Sequence, residues 1–434
     1  MTWLLLLAVL GVNMTFWGSV GILRVLDERM RRRAKDGERA LEVPLSEVAV
    51  MIAAHNEEAV IGASLGHLLE LVPASNVHVV SDWSTDATVQ IATDAGVNVV
   101  ETPRNVGKAS ALVFAKDHFE LLDKYKAVMI LDADTKLDPR YFERALPMFD
   151  DPRVVAVAGC AHTWWQRKMG FVGNVLVTHR QRVYLLTQHL LKYGQTWRGI
   201  SATLIVPGFA SMYRTDALRD IVINPPGLII EDFNMTFQVH AKRLGRIAFH
   251  PGALAYTQDP SRLKDYIKQV RRWDLGLWQT IRRWLPRRPV FAATVVVTVI
   301  ELVLSSLMLL LLPLLGLAAA IAVIPGLHAG VVVTDTLAWV SAYLGFPYIV
   351  YVMVGADYLL TGVNAVVERR PFILIAGLFS IPLRVIDAAL ALYTLPRAWL
   401  DASDGQWVSP TRRALAPDAT ASSTAVPILE GQTT

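Results

Sequence analysis

The sequence predicts an α/β domain built around a parallel sheet, with membrane-spanning segments on both sides of it. Short β-rich apolar bursts alternate with helix-like stretches from about residue 45 to 285, and strongly apolar runs precede and follow this region. Such alternation is typical of βαβ units. Hydrophobic residues make up 53% of the 434 residues, which is too apolar for an ordinary soluble enzyme.

The N-terminus predicts a membrane anchor at residues 1–25, because a bilayer core takes about 20 apolar residues. No basic residue precedes the apolar run and no clear small-residue cleavage site ends it, which favours an anchor over a cleaved signal peptide. A basic linker at 26–44 follows. By the positive-inside rule, its charges place the domain at 45–289 in the cytosol. These charges are Arg29, Arg31, Arg32, Arg33 and Lys35.

The C-terminal part predicts a second membrane region at 290–400, with three apolar spans at 290–326, 330–362 and 372–395. We therefore expect an integral membrane protein, located in the plasma membrane. The net charge of +4 comes mainly from residues beside apolar runs, which predicts contact with membrane lipids and not with nucleic acid. The segment at 401–434 ends in a tail of disordered composition.

Polar clusters directly follow three of the predicted strands. The strands are read from "EVAVMIAAHN", "NVHVVSD", "VNVVET", "AVMILDAD" and "VVAVAG". In parallel sheets, ligands bind at the carboxyl ends of strands. The recurrence of polar residues at these ends therefore predicts one shared site. The clusters are His55-Asn56-Glu57, Asp82-Trp83-Ser84 and Asp132-Ala133-Asp134.

Two acidic motifs have a functional and a structural interpretation each. The carboxylates of Asp132 and Asp134 in "LDADT" suit one hard divalent cation that also binds a diphosphate, or else a turn with Asx hydrogen bonds. In "IED", Glu231 or Asp232 suits a general base that deprotonates an acceptor hydroxyl. The alternative is a helix start, where acidic residues are favoured, and both interpretations are compatible.

The segment "QVRRW" lies in a helix-like stretch at 263–284, where Gln269, Arg272 and Trp273 fall along one face. An amide, a guanidinium and an indole together suit a sugar diphosphate, with Arg binding phosphate and Trp stacking on a sugar ring. The alternative is an amphipathic interfacial helix that precedes a membrane span.

In this order, the motifs resemble those of the family 2 glycosyltransferases, in their membrane-embedded, polysaccharide-synthase-like branch. Hyaluronan, chitin, cellulose and poly-N-acetylglucosamine synthases belong to that branch. The resemblance covers about residues 45–285. It implies a doubly wound nucleotide-diphospho-sugar transferase domain of the GT-A type, and metal-dependent, inverting hexosyl transfer with Mg²⁺ or Mn²⁺. The motifs are "AAHNEE", "SDWSTDAT", "NVGKASAL", "LDADT", "DPRVVAVAG", "PGFASMYR", "IED" and "QVRRW".

The resemblance also implies a role for each matching residue. Asp232 would be the catalytic base with Glu231 beside it, and Asp132 and Asp134 would bind the metal. Four residues of the last motif would lie at the acceptor and diphosphate end: Gln269, Arg271, Arg272 and Trp273. Six residues would bind the donor: His55, Asn56, Glu57, Asp82, Lys108 and Asp132.

The chain departs from the family pattern at three positions, and for one further match the side of the membrane is open. Ser81 and Trp83 replace the first Asp and the Gly of the usual Asp-Asp-Gly-Ser motif, and Asn234 replaces an Asp. These changes bear on donor choice and on rate. "GQWVSPTRR" at 405–413 is similar to a trailing cytosolic element of the family, but an odd number of spans would place it outside.

Three functions remain open on the sequence. The first is a polysaccharide synthase that moves sugar from a UDP-sugar to a growing glycan. The second is transfer of one sugar to a lipid or short acceptor. The third is a non-catalytic membrane scaffold with the same fold, which the carboxylates at 132, 134 and 232 disfavour.

Overall fold

The computed structural model describes residues 2–32, 41–166, 169–284, 288–323, 335 and 346–400. Its centre is one eight-stranded sheet with the order β3-β2-β1-β4-β7-β6-β8-β5. The strands are β1 (Val48–Ala54), β2 (Val77–Ser81), β3 (Asn98–Glu101), β4 (Ala127–Asp132), β5 (Lys136–Leu137), β6 (Val154–Thr163), β7 (Ala210–Arg214) and β8 (Arg246–Thr257).

Helices cover the sheet and extend beyond it at both ends of the chain. Before β6 they are α1 (Thr2–Arg32), α2 (Ile61–Leu69), α3 (Thr88–Asp94), α4 (Lys108–His118), α5 (Leu121–Lys124) and α6 (Tyr141–Ala145). After β6 they are α7 (Phe171–Leu186), α8 (Tyr193–Gln195), α9 (Thr215–Arg219), α10 (Glu231–Ala241), α11 (Leu263–Arg283), α12 (Pro289–Val323), α13 (Phe346–Glu368), α14 (Phe372–Ala376) and α15 (Ser380–Leu400). A π-helical turn, Thr187–Lys192, joins α7 to α8.

The predicted α/β class is confirmed, but the sheet, predicted to be parallel, contains antiparallel strands as well. Strands β1 to β4 are parallel, whereas β7 runs antiparallel between β4 and β6. All five predicted strands are present, and β5, β7 and β8 were not predicted. Strand β7 has the sequence ASMYR, whose Ser and Arg interrupt the apolar pattern, so only its pairing with β4 makes it a strand.

The sheet is buried on both faces, as expected for parallel strands covered by helices. All seven residues of β1 are buried. Val48, Val50 and Ile52 pack into one core cluster, while Ala49 and Met51 pack into the cluster on the opposite face. This rigid double-sided core holds the ends of β1, β2 and β4 at fixed positions.

Among the described residues, two helical stretches are long and apolar enough to cross a membrane: Pro289–Leu311 and Phe372–Leu400. They correspond to the first and third of the three predicted spans. The predicted N-terminal anchor forms most of α1, which bends at Gly11. The predicted middle span lies partly outside the described residues, and the segment at 405–413 lies entirely outside them.

Candidate active site

Three strands bring the polar clusters to one edge of the sheet. In the register of the parallel pairs, Ala54 lies opposite Ser81, and Ala53 lies opposite Asp132. The residues that follow β1, β2 and β4 therefore share one edge, as the sequence predicts. The Asp132 N–H donates to the carbonyl of Phe209 at 3.0 Å, which adds the loop before β7 to the same edge.

A half-buried ammonium connects two of the acidic motifs. Lys108 begins α4, and its Nζ lies 2.8 Å from Asp132 Oδ1 and 2.7 Å from Glu231 Oε1. Burial by itself lowers the pKa of Lys108, but the two carboxylates outweigh this and raise it above the usual value. The ammonium therefore stays charged and offsets repulsion between carboxylates that the chain places 99 positions apart.

The neighbouring carboxyls Glu231 and Asp232 have opposite pKa shifts. Burial raises the pKa of Glu231, but Lys108 and then Arg272 outweigh it, so the pKa lies below its usual value. Burial and the adjacent Glu231 charge raise the pKa of Asp232 to about 6. Such a split distinguishes a fixed anion from a group that can take up a proton near neutral pH.

Gly208, in the "PGFASMYR" motif, leaves room for this cluster. A Cβ at this position would lie 3.1 Å from Glu231 Oε1 and 3.4 Å from Lys108 Nζ. Its own N–H donates to Asp232 Oδ2 at 3.4 Å, and its carbonyl accepts from Lys108 Nζ at 3.4 Å. The backbone here therefore forms one wall of the acidic site, which explains a glycine at this position.

The carboxylates of Asp132 and Asp134 are chemically suited to bind a divalent cation. Asp134 is 1% exposed, and oxygen donors are the ligands that Mg²⁺ and Mn²⁺ prefer. Among the described residues, no group of three or more His, Cys, Asp and Glu side chains could hold an ion. In sites with few protein ligands, Mg²⁺ usually keeps water and takes phosphate oxygens as its other ligands.

The first predicted donor cluster joins the loops after β1 and β2. His55 Nδ1 lies 2.6 Å from the Asp82 carbonyl, and the Glu57 N–H donates to Thr88 Oγ1 at 2.8 Å. Asn56 Oδ1 accepts from the Thr85 N–H at 2.8 Å. The structure therefore brings these residues to the predicted edge, where they hold the two loops together. Their contact with a donor stays a prediction.

Asp82 is fully buried, and its carboxylate binds the loop that precedes Lys108. Oδ1 accepts from the Val106 N–H at 2.8 Å and from Thr102 Oγ1 at 3.0 Å, while Oδ2 accepts from the Gly107 N–H at 2.8 Å. Both oxygens thus have protein donors in this structure. Asp82 determines where α4 begins and where Lys108 lies, and its predicted donor contact is not tested by this geometry.

The three departures from the family pattern have separate physical consequences. Trp83 has a left-handed backbone, with φ of 59°, and is 48% exposed. For a non-glycine residue this conformation costs roughly 1–2 kcal/mol, so the usual Gly is the easier residue here. Ser81 accepts a hydrogen bond from the Ser84 N–H. Asn234 donates to the Val222 carbonyl, a bond that an ionised Asp would lack.

The four predicted site residues of the QVRRW motif lie on α11 and face different neighbours. Gln269 Oε1 accepts from Arg180, and the Arg180 guanidinium lies 4.4 Å from the centre of the Trp273 ring. Arg272 interacts electrostatically with Glu231, and its buried Nε has no hydrogen-bond partner among the described residues. Arg271 is exposed and lies 5.7 Å from the Tyr393 ring of α15, apart from the other three.

Sequence reasoning missed two buried cations near the site, Arg180 and Lys192. Burial lowers the pKa of Lys192 to about 8, against the opposing effects of Cys160 and Asp232. Lys192 lies on the π-helical turn, an irregularity that is frequent at functional sites. The segment at 171–195 shows no motif, so a run of charged residues inside an apolar helix was the one available signal.

The α/β domain that carries this cluster of acidic and basic groups matches a known enzyme family. Residues 44–276, more than half of the chain, match the family model described as "Glycosyltransferase like family 2". The chain therefore belongs to the family 2 glycosyltransferases, which confirms the resemblance seen in the motifs.

Similar proteins include the "Probable glycosyltransferase YdaM" of Bacillus subtilis, 24% identical over 56% of this chain, and the hyaluronan synthase of Streptococcus pyogenes, 25% identical over 54%. The match spans 57% of the length of each relative. A solved mannosyltransferase from Pyrobaculum calidifontis, in complex with GDP-Man and Mn²⁺, is 18% identical with a TM-score of 0.48 over 85% of this chain and 99% of that one. A TM-score of this size supports no functional assignment.

We expect Asp82→Asn to loosen the loop at 102–107 and displace Lys108. The new amide would face one of three donors that now share the carboxylate, leaving buried groups unpaired at a cost of about 1–3 kcal/mol. Thermal unfolding and hydrogen exchange of the loop measure the effect. Asp94→Asn is the control, because Asp94 is exposed and accepts a bond from Gln90 only four residues away. Equal melting temperatures and equal exchange in both variants would contradict this role.

Proposed function

We propose that this protein catalyses an inverting transfer of sugar from a UDP-sugar to a growing glycan, as a polysaccharide synthase. The observation that carries the proposal is the partly buried cluster in which Lys108 joins Asp132 to Glu231, with Asp232 beside it. Inversion is a single in-line displacement. It needs one base, one stabilised leaving group and no covalent intermediate.

In this proposal, Asp232 is the base that removes the proton from the acceptor hydroxyl. Its pKa of about 6 keeps it ionised at neutral pH, yet makes it more basic than an ordinary Asp. Glu231 is paired with Lys108 and stays an anion, so its part is to raise the basicity of Asp232 and to hold Lys108 in place. A hydroxyl within hydrogen-bond reach of Asp232 would then attack the anomeric carbon.

The leaving diphosphate would lie between Asp132, Asp134 and the cationic groups. A divalent cation, Mg²⁺ or Mn²⁺, would supply charge neutralisation for the departing phosphates when bound to the two carboxylates. Lys108 and Arg272 contribute positive charge from the protein itself. The unsatisfied Nε of Arg272, in the described part of the chain, supports a phosphate contact at this position.

The contact between α11 and α15 supports a site that lies next to the apolar C-terminal helices. Trp278 Nε1 donates to the Ala391 carbonyl at 3.1 Å, and Arg282 Nη1 donates to the Ala398 carbonyl at 2.5 Å. The helix that carries QVRRW is thereby attached to an apolar helix long enough to cross a membrane. We further propose a membrane location, with the domain at 45–289 in the cytosol.

The central test is donor turnover in membrane-reconstituted protein. We expect release of UDP from at least one UDP-sugar in the presence of Mg²⁺ or Mn²⁺, and a loss of about 10²–10⁴-fold in rate for Asp232→Asn. Asp220→Asn, outside the site, is the matched control and should keep full activity. Turnover of Asp232→Asn at the wild-type rate would refute the assignment of the base. No turnover of any UDP-sugar by the wild type would favour the scaffold hypothesis.

The pH dependence provides a second test. As the pH falls through about 6, Asp232 takes up a proton, so kcat/KM should fall on the acidic side. Glu231→Gln removes a neighbouring negative charge, so we expect a lower pKa of Asp232. The acidic limb of the kcat/KM profile, where activity falls with pH, should then lie at lower pH. Lys108→Gln removes a positive charge and should move the limb to higher pH. A limb that stays in place in both variants would contradict the proposed coupling.

Product length separates the synthase from its alternative. Incubation with the donor that gives turnover should yield chains of many sugars, measured by mass spectrometry and size-exclusion chromatography. Products that carry one added sugar on a lipid or short acceptor would instead identify a single-sugar transferase. Either result leaves the role of Asp232 to be decided by the rate of its Asn variant.

A further inference from the structure

Helix α7 carries four consecutive polar side chains that are all buried. His179, Arg180, Gln181 and Arg182 are between 2% and 4% exposed. Consecutive residues of a helix point in different directions, so α7 is surrounded by protein on all sides at this level. Buried charges are costly unless they are paired or hydrogen-bonded. The partners of these residues therefore indicate what the helix organises.

Arg180 contacts one face of α11 along two helical turns. Its Nη2 donates to Gln269 Oε1 at 3.0 Å, and its guanidinium lies 4.4 Å from the Trp273 ring centre and 5.0 Å from that of Tyr266. Tyr266, Gln269 and Trp273 are spaced by three and four residues, so they share this face. These distances are typical of cation–π contacts.

A counter-charge holds the guanidinium from the other side. Arg180 Nε lies 3.8 Å from Asp259 Oδ1, and Asp259 also accepts from Thr163 Oγ1 at 2.7 Å and from the Tyr184 hydroxyl at 2.8 Å. Asp259 precedes α11, and Thr163 ends β6. Arg180 thus lies between Asp259, which binds Thr163 at the end of β6, and the face of α11 that carries Gln269 and Trp273.

We propose that Arg180 is a positioning residue that orients Gln269 and Trp273 toward the acceptor end of the site, an inference that rests on the proposed function. The hydrogen bond turns the Gln269 carbonyl toward α7, which leaves its amide NH₂ for other partners. The guanidinium covers one face of the Trp273 ring. A sugar can therefore stack only on the opposite face, so Arg180 determines the side from which an acceptor approaches.

An arginine is required for both contacts at once. The guanidinium is planar, so it can stack on an indole while its N–H groups donate in the same plane. A lysine at position 180 would keep the charge, but its ammonium is a point donor that cannot stack. A small error in the orientation of a bound reactant is able to cost about 10²-fold in rate.

The test compares Arg180→Lys with Arg182→Lys in the full-length, membrane-reconstituted protein. Arg182 is equally buried and charged, but it pairs with Asp357 of α13 at 2.8 Å and makes no hydrogen bond to α11. Two quantities are measured with a panel of UDP-sugars: UDP released, and sugar incorporated into product. Their ratio reports donor hydrolysis without transfer, which general damage to the fold would not change.

We expect Arg180→Lys to lower incorporation by about 10-fold to 100-fold while the KM for the donor stays within about twofold. The ratio of UDP released to sugar incorporated should rise. Arg182→Lys should lower the melting temperature and leave that ratio unchanged. In a double-mutant cycle, Trp273→Phe should remove most of the effect of Arg180→Lys, because both act through the same ring.

Three outcomes would overturn the proposal, and only one of them also overturns the proposed function. If the wild type incorporates sugar and Arg180→Lys has the wild-type ratio, the positioning role is wrong and the proposed function stands. If the wild type releases no UDP from any donor of the panel, the proposed function fails and the acceptor role of Arg180 fails with it. Independent, additive effects of Arg180→Lys and Trp273→Phe would also contradict the proposal.

Discussion

The candidate site depends on one half-buried ammonium. Without Lys108, the partly buried carboxylates of Asp132 and Glu231 would face each other, and like charges this close repel. The Lys108 ammonium allows Asp132, at the end of β4, and Glu231, at the start of α10, to contact the same group. That approach in turn leaves Asp232 beside an ionised neighbour and gives it a raised pKa.

The position of Lys108 is itself set by the stretch that follows β2. Asp82 accepts three hydrogen bonds from residues 102–107, and Ser81 and Ser84 close the turn above it. Asp82 is therefore a buried acid that supports the loop, whereas the side chain of Trp83 is exposed at the surface. The left-handed backbone of Trp83 is costly for a residue with a Cβ, and its large side chain is exposed at the rim of the site.

A second layer of charge connects the enzyme domain to the apolar C-terminal helices. Glu368, at the end of α13, accepts from Gln181 at 2.7 Å and from Trp165 at 3.3 Å, while Arg182 pairs with Asp357. Buried polar networks of this kind specify one arrangement of their elements, because any shift leaves charged groups unpaired. Helix α7 therefore adds polar contacts to α11 and to the C-terminal helices, beside the direct contacts between α11 and α15.

The α/β class, the five strands with continuous apolar runs and the acidic motifs could all be predicted from the sequence, because they depend on local patterns and on spacing along the chain. Strand β7 and the residues Arg180 and Lys192 carry no such pattern. Their states follow from neighbours far apart in the chain: β7 from its pairing with β4, and Arg180 from a helix face some 90 positions further on. Tertiary structure alone decided that Lys108 joins Asp132 to Glu231, that Asp82 supports a loop, and that Arg271 points away from the other QVRRW residues. Burial and long-range pairing set these outcomes, and a linear sequence shows neither.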